Sequence, residues 1–184
     1  MEIRICKPGE IDEGHLNQII DLIIQGGQIK SDRLGIGILI QLADFIAYKL
    51  DNNLVICTAT LKNQYPVYRE KVFSLAGAQS AQLYAKELGY IVTHPNYENQ
   101  GHCQELLESF FHKIKVSSIF ATSRKPAMVH ILSKFGFRQK GVLYNHDLML
   151  LIYDPPVDPF LTESFPTVDL NSNYQLPTSN FQLL

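Results

Sequence analysis

The stretch that most restricts the fold is residues 87–114, ELGYIVTHPNYENQGHCQELLESFFHKI. Its first eight residues are strand-like and end at Pro95-Asn96, after which Leu106, Leu107, Phe110, Phe111 and Ile114 recur at helical spacing. A strand therefore runs through a short polar turn into an amphipathic helix, with Gly101 at the helix entrance. The free N–H groups of a helix start carry about half a positive charge, so such a turn can hold a phosphate with main chain alone. Gly101 stands where a close approach of backbone to phosphate would demand a missing Cβ.

The segments around this unit follow the same alternation. EIRIC reads as a short strand, and Leu16, Ile19, Ile20, Ile23 and Ile24 form one helical face that Gly26-Gly27 stops. A second helix is predicted from Leu34 to Leu50 on the spacing of Leu39, Leu42, Ala43, Ile46 and Leu50. LVICTATLK is a strand, and its run from Leu54 to Cys57 suits one covered on both faces. YREKVFSLAG is compatible with a short helix and GAQSAQ with a loop. Beyond the central unit come a strand at SSIFAT, a helix starting at Pro126 and closing at Gly136, and one or two strands in VLYNHDLMLLIYD. Alternating strands and helices specify an α/β layer architecture.

Length and composition narrow the class of protein. With 184 residues, 46% of them hydrophobic, one globular domain is the expectation, here residues 1–154. Residues 155–184 form a tail rich in Pro, Ser and Asn; its Phe160, Phe165, Tyr174, Phe181 and Leu184 suggest an extended segment that packs. A net charge of −2 and a charged fraction of 18% argue against nucleic-acid and membrane-surface binding. Three widely spaced cysteines, an odd number, argue against a disulfide framework and for a reducing compartment. MEIRICKPGE is too polar for a signal peptide, so a cytoplasmic protein is expected.

On two features the chain resembles the Gcn5-related N-acetyltransferase (GNAT) superfamily, over roughly Met1 to Asp154. Glu98-Asn99-Gln100-Gly101-His102-Cys103 stands where that superfamily carries Arg/Gln-x-x-Gly-x-Gly/Ala, and Phe135-Gly136-Phe137 closes a short helix as its members do. The resemblance implies an α/β fold with a mixed, splayed central sheet flanked by helices, and acetyl-CoA (coenzyme A) as cofactor. It implies that Ile91, Val92 and Thr93 pair with the pantetheine arm. The amides of Asn99, Gln100, Gly101, His102 and Cys103 would meet the pyrophosphate. Where members present an asparagine to the coenzyme A arm this chain has Ser123-Arg124-Lys125-Pro126, and Arg124 or Lys125 could instead reach an adenosine phosphate. The expected partner is an amine of a small molecule or peptide, and a homodimer is compatible with the chain.

The chemistry needs a base for the amine, a donor for the developing oxyanion and an acid for the thiolate. Glu87, eleven residues ahead of Glu98, stands at the spacing of the general base in histone-acetyltransferase-like members; the plain alternative is a solvent-facing strand-end glutamate. If it acts, Glu87, Gly89 and Ile91 would share the face bordering the cleft. The tyrosine that many members use as acid aligns with Leu132, leaving Tyr144 and His130 as substitutes, each with an ordinary structural alternative.

Glu98 departs from the pattern most. A carboxylate about 5 Å from a phosphate oxygen costs on the order of 3 kcal/mol at an effective dielectric of about 20. Either Glu98 turns to solvent or the site is weakened, and an acid ahead of a helix is also favourable without any ligand. A Cys103–His102 nucleophile has poor geometry, because adjacent helical residues do not face each other. His94, His102, Cys103 and His112 lack paired ligand spacing, so no metal is expected. The reading is an acetyl-CoA-dependent N-acetyltransferase, with a degenerate acyl-CoA-binding or interaction module as the alternative.

Overall fold

The computed structural model describes residues 1–27 and 31–155. The elements are β1 (Glu2–Cys6), α1 (Glu13–Gln25), α2 (Arg33–Gln41), β2 (Ala43–Asp51), β3 (Leu54–Asn63), α3 (Pro66–Leu75), β4 (Lys86–Thr93), α4 (His102–Lys113), β5 (Ile119–Ser123), α5 (Pro126–Lys134), β6 (Arg138–Gln139) and β7 (Met149–Tyr153). They build one seven-stranded sheet in the order β1-β2-β3-β4-β5-β7-β6. Only β4 and β5 run parallel; every other neighbouring pair is antiparallel. The tail from residue 156 lies outside the described residues, and with it the expected packing of its aromatic side chains.

Each face of the sheet is covered by helices. Leu106, Leu107 and Phe110 of α4, all with no exposed surface, pack with Leu132 of α5 against Ala59, Leu61 and Leu88. Removing each such side chain from water contributes roughly 1.5–3 kcal/mol. On the opposite face Ile19, Ile23, Ile36 and Ile40 of α1 and α2 cover Ile46 and Tyr48. Val72 and Phe73 of α3 cover Phe120 and Ile152 farther along the same face. A gap between these two helical patches is left over the middle of the sheet, and the polar groups described below occupy it.

One expected element is corrected. The predicted helix from Leu34 to Leu50 is helix only to Gln41; Ala43–Asp51 is β2, paired with both β1 and β3. Ile46, Tyr48 and Leu50 face α1 and α2 while Ala47 packs with the α4 cluster, so apolar residues fall on both faces. A strand buried on two sides loses its period of two. The remaining apolar positions happened to fit a helical stripe.

α3 forms where a short helix was compatible with the sequence, with Pro66 in its first turn. It is amphipathic only weakly, and Val67 and Tyr68 remain exposed. Among the described residues no helix is long and apolar enough to cross a membrane.

Candidate active site

Hydrogen bonding between β4 and β5 lasts for only two register pairs, Lys86 with Ile119 and Glu87 with Phe120. Beyond them the strands part, although β4 stays paired with β3 as far as Thr93. The splayed sheet is therefore present, and Glu87 sits at the apex of the opening. The opening contains a cavity of about 230 Å³ bordered by Glu87, Gly89, Ile91 and Val92 on one side and Thr122, Ser123 and Arg124 on the other.

Glu87 is not the solvent-facing glutamate of the plain alternative. It is 3% exposed. One carboxylate oxygen pairs with Lys62 Nζ at 2.9 Å and accepts from Gln64 Nε2, and the other accepts from the Thr122 hydroxyl at 3.2 Å. Lys62 lies beside Glu87 in the β3–β4 register, which explains why the two meet. Its ammonium also sits 4.3 Å from the centroid of the Tyr90 ring, a favourable cation–π arrangement.

Three tyrosines surround this pair. Burial, then the Glu87 charge, push the Tyr144 and Tyr90 phenols up to about 12. The same two causes raise Tyr68, which is partly exposed. The Tyr144 hydroxyl is buried with no hydrogen-bond partner among the described residues. Tyr144 belongs to the α3 cluster, and its main chain pairs with Leu148.

β4 departs from simple alternation. Thr58 pairs with Val92 but Thr60 pairs with Gly89, so two residues of β4 oppose one of β3. Tyr90 lies at this bulge with φ of +49°. Leu88 and Ile91 consequently pack with the α4 cluster, while Tyr90 and Val92 join that of α1 and α2. The expectation that Glu87, Gly89 and Ile91 share one face is thereby corrected: the bulge moves Ile91 to the other face, although all three border the cavity.

At the far end of the opening lies a second cavity of about 430 Å³, bordered by Val92, Thr93, Asn99, Gly101, Cys103 and Lys125. Asn99 and Gly101 both have positive φ, +60° and +82°, and nothing lies within 4 Å of the place a Gly101 Cβ would take. Gly101 caps α4 without any side-chain bond. Successive turns of this kind leave main-chain N–H groups directed into a concavity, where anions bind. The loop is fastened from below: Tyr97 donates to Asp51 at 2.9 Å and its ring leans on that of His102.

The side chains of the loop differ in their uses. The His102 ring is buried and faces Lys49 Nζ at 3.0 Å; Lys49 also pairs with Glu105. Cys103 is buried, and its hydrogen bond with Cys57, together with burial, pushes the thiol up, so it is no thiolate nucleophile. Gln100 donates to the Asn96 carbonyl at 3.0 Å. Glu98 is exposed, borders the cavity and forms no ion pair among the described residues.

Arg124 borders the inner cavity and pairs with Asp147 at 3.4 Å, so Lys125 is the cation bordering the loop cavity. His130 is exposed and borders a separate cavity. Leu132 leaves an apolar wall where the resemblance implied a phenol. Lys62, Gln64, Thr122, Tyr68 and Tyr90 were not singled out from sequence. A period-two reading cannot supply the register that brings them to Glu87.

A third cavity, about 560 Å³, opens from the gap in the helical cover and is bordered by Leu39, Leu42, Tyr65, Tyr68, Tyr90 and Lys62. Lys62 and Tyr90 border both this cavity and the inner one, and Ile91, Val92 and Lys125 border both the inner cavity and the loop cavity. The three therefore adjoin in sequence, from main-chain turn to carboxylate to aromatic wall.

No protein-family profile matches the chain, and no curated protein sequence does. Solved structures do. An acyl-CoA N-acyltransferase from Pseudomonas aeruginosa matches with a TM-score of 0.60 at 11% identity, covering 82% of this chain and 97% of that one. An acetyltransferase of the GNAT family from Streptococcus agalactiae matches at 0.58 and 14%, covering 83% and 95%. A chain of the NatC complex bound to Gag peptide and CoA matches at 0.57 and 15%, covering 84% and 99%. With the parted strands and the turn ahead of α4, these likenesses show that the chain has the fold of the GNAT acetyltransferases, at 11–15% sequence identity.

Proposed function

We propose that this chain is an acetyl-coenzyme A-dependent N-acetyltransferase acting on an amine of a small molecule or peptide by direct transfer in a ternary complex. The observation that carries this reading is the parting of β4 and β5 immediately after Glu87, which joins a side-chain-free helix start to a buried carboxylate through adjoining cavities. A solved neighbour described as bound to CoA supports the choice of cofactor.

The residues present fit such a group. Open space at Gly101 and the uncapped start of α4 leave the amides of residues 99–103 for a pyrophosphate. Ile91, Val92 and Thr93 lie on the length of β4 that β5 has left, where their main chain would hold a pantetheine arm. Lys125 would meet a phosphate there, with Arg124 farther in. Bound acetyl-coenzyme A supplies an acyl thioester. Glu87 accepts the proton of the acceptor amine; the Tyr144 phenol, which packs in the α3 cluster, borders none of the described cavities and feels the Glu87 charge, stays protonated at neutral pH and is the proposed donor.

Thermal shift with coenzyme A tests binding, and Glu87→Gln tests chemistry. The variant should keep the shift and slow acetylation of an amine by about 10²–10⁴-fold. Unchanged turnover removes Glu87 from the mechanism. The second reading, a coenzyme A-binding or interaction module without turnover, is favoured by Glu98 at the loop cavity and by the Lys62 ammonium already paired with Glu87. A saturable shift with no product from any amine would establish it.

A further inference from the structure

We propose that Lys62 is an acceptor of this chain's own acetyl transfer, a self-modification site built into the acceptor end of the cleft. The proposal rests on the acetyl-transfer reading above. Any acceptor amine must reach the Glu87 carboxylate while facing the opening between β4 and β5. Lys62 Nζ already meets both conditions, at 2.9 Å from Glu87 Oε2 and on the wall of the inner cavity.

The site around this ammonium is built rather than incidental. The Lys62 side chain is 13% exposed and has the Tyr90 ring 4.3 Å away. Its end lies over Gly89, where a Cβ would stand 2.8 Å from both Cε and Nζ, so the absence of a side chain at that strand position makes room for it. Gln64 and Thr122 hold the carboxylate in place.

The step balances as an acyl transfer from an acetyl thioester. One ammonium proton passes from Lys62 Nζ to Glu87 and on to solvent. The freed nitrogen pair forms the C–N bond as the thioester C–S bond breaks, and a second proton leaves with the sulfur as thiol. The resulting amide carries no charge and cannot remain an ion-pair partner. Glu87 is then released toward external amines, and the neutral side chain has the adjoining 560 Å³ cavity to enter.

The test incubates the purified full chain with acetyl-coenzyme A and, separately, with coenzyme A, then maps acetylated peptides by mass. Lys62 should gain one acetyl group at least about a hundredfold faster than the exposed Lys71 and Lys115, at a rate independent of chain concentration. Glu87→Gln should slow it by about a hundredfold or more, and Lys62→Arg should abolish the mark while coenzyme A still raises Tm. A Tm rise with coenzyme A but no mark on Lys62 overturns the proposal and leaves the cofactor reading standing. Equal marking of Lys62, Lys71 and Lys115, or marking unaffected by Glu87→Gln, also overturns it. No Tm rise overturns both.

Discussion

The Lys62–Glu87 pair permits a quantitative test that needs no ligand. Glu87 is 3% exposed and fixed on a central strand, whereas the Lys62 side chain is 13% exposed and long. Breaking a buried pair from one side costs about 3–5 kcal/mol because the other charge is stranded. Lys62→Met strands a carboxylate that cannot move, but Gln64 and Thr122 still donate to it, so a loss of about 3–4 kcal/mol is expected. Glu87→Gln leaves an amide oxygen for the ammonium, which can also swing into the adjoining cavity, so about 2 kcal/mol is expected. If the residues act as a pair, the double variant loses about 3 kcal/mol instead of the sum, a coupling of about 2–3 kcal/mol. Urea unfolding of the four proteins measures this, and Lys62→Met alone should lower Tm by roughly 10 °C. A coupling below about 0.5 kcal/mol would refute the buried pair, and with it the claim that Lys62 occupies the acceptor position.

Three further outcomes follow from local geometry. Glu98→Arg should tighten coenzyme A by about 3–10-fold at low salt, with the gain fading as salt rises; an unchanged affinity in calorimetry would place that side chain away from the phosphates. Gly141→Ala should cost about 2–4 kcal/mol, because φ is +74° and the new Cβ would overlap the Ala76 carbonyl oxygen that accepts from Val142; Gly9→Ala, in open space, is the neutral control in the same melts. Lys49 holds the Glu105 carboxyl below its ordinary range, so this pair's stabilisation is present above the unfolded pKa of about 4.3 and is lost as pH falls through the lower folded value. Urea midpoints between pH 6 and 3 should therefore fall less steeply for Glu105→Gln than for the parent chain.

The readings that held from sequence were local ones. Strand, turn and helix across residues 87–114 follow from alternation, Pro95 and a stripe that one face of α4 buries, and these patterns survive without knowledge of the neighbours. Cys103 and His102 were noticed for their chemistry, but folding turned both inward, His102 onto the Lys49 ammonium of β2 and Cys103 onto Cys57 of β3. β2 was misread for a related reason: burial on two faces erased its periodicity.

By itself the sequence determined that a main-chain turn with one glycine would open a helix, and that an acid, Glu87, would stand at the start of the preceding strand. Backbone preference and hydrophobic spacing act over a few residues, so they are written in the order of the letters. Only the tertiary structure decided that β4 and β5 separate after Glu87, that a bulge at Tyr90 carries Ile91 to the opposite face, and that Lys62 meets the carboxylate. Those are matters of register between segments distant in the chain, and register is set by how both faces of the sheet are filled.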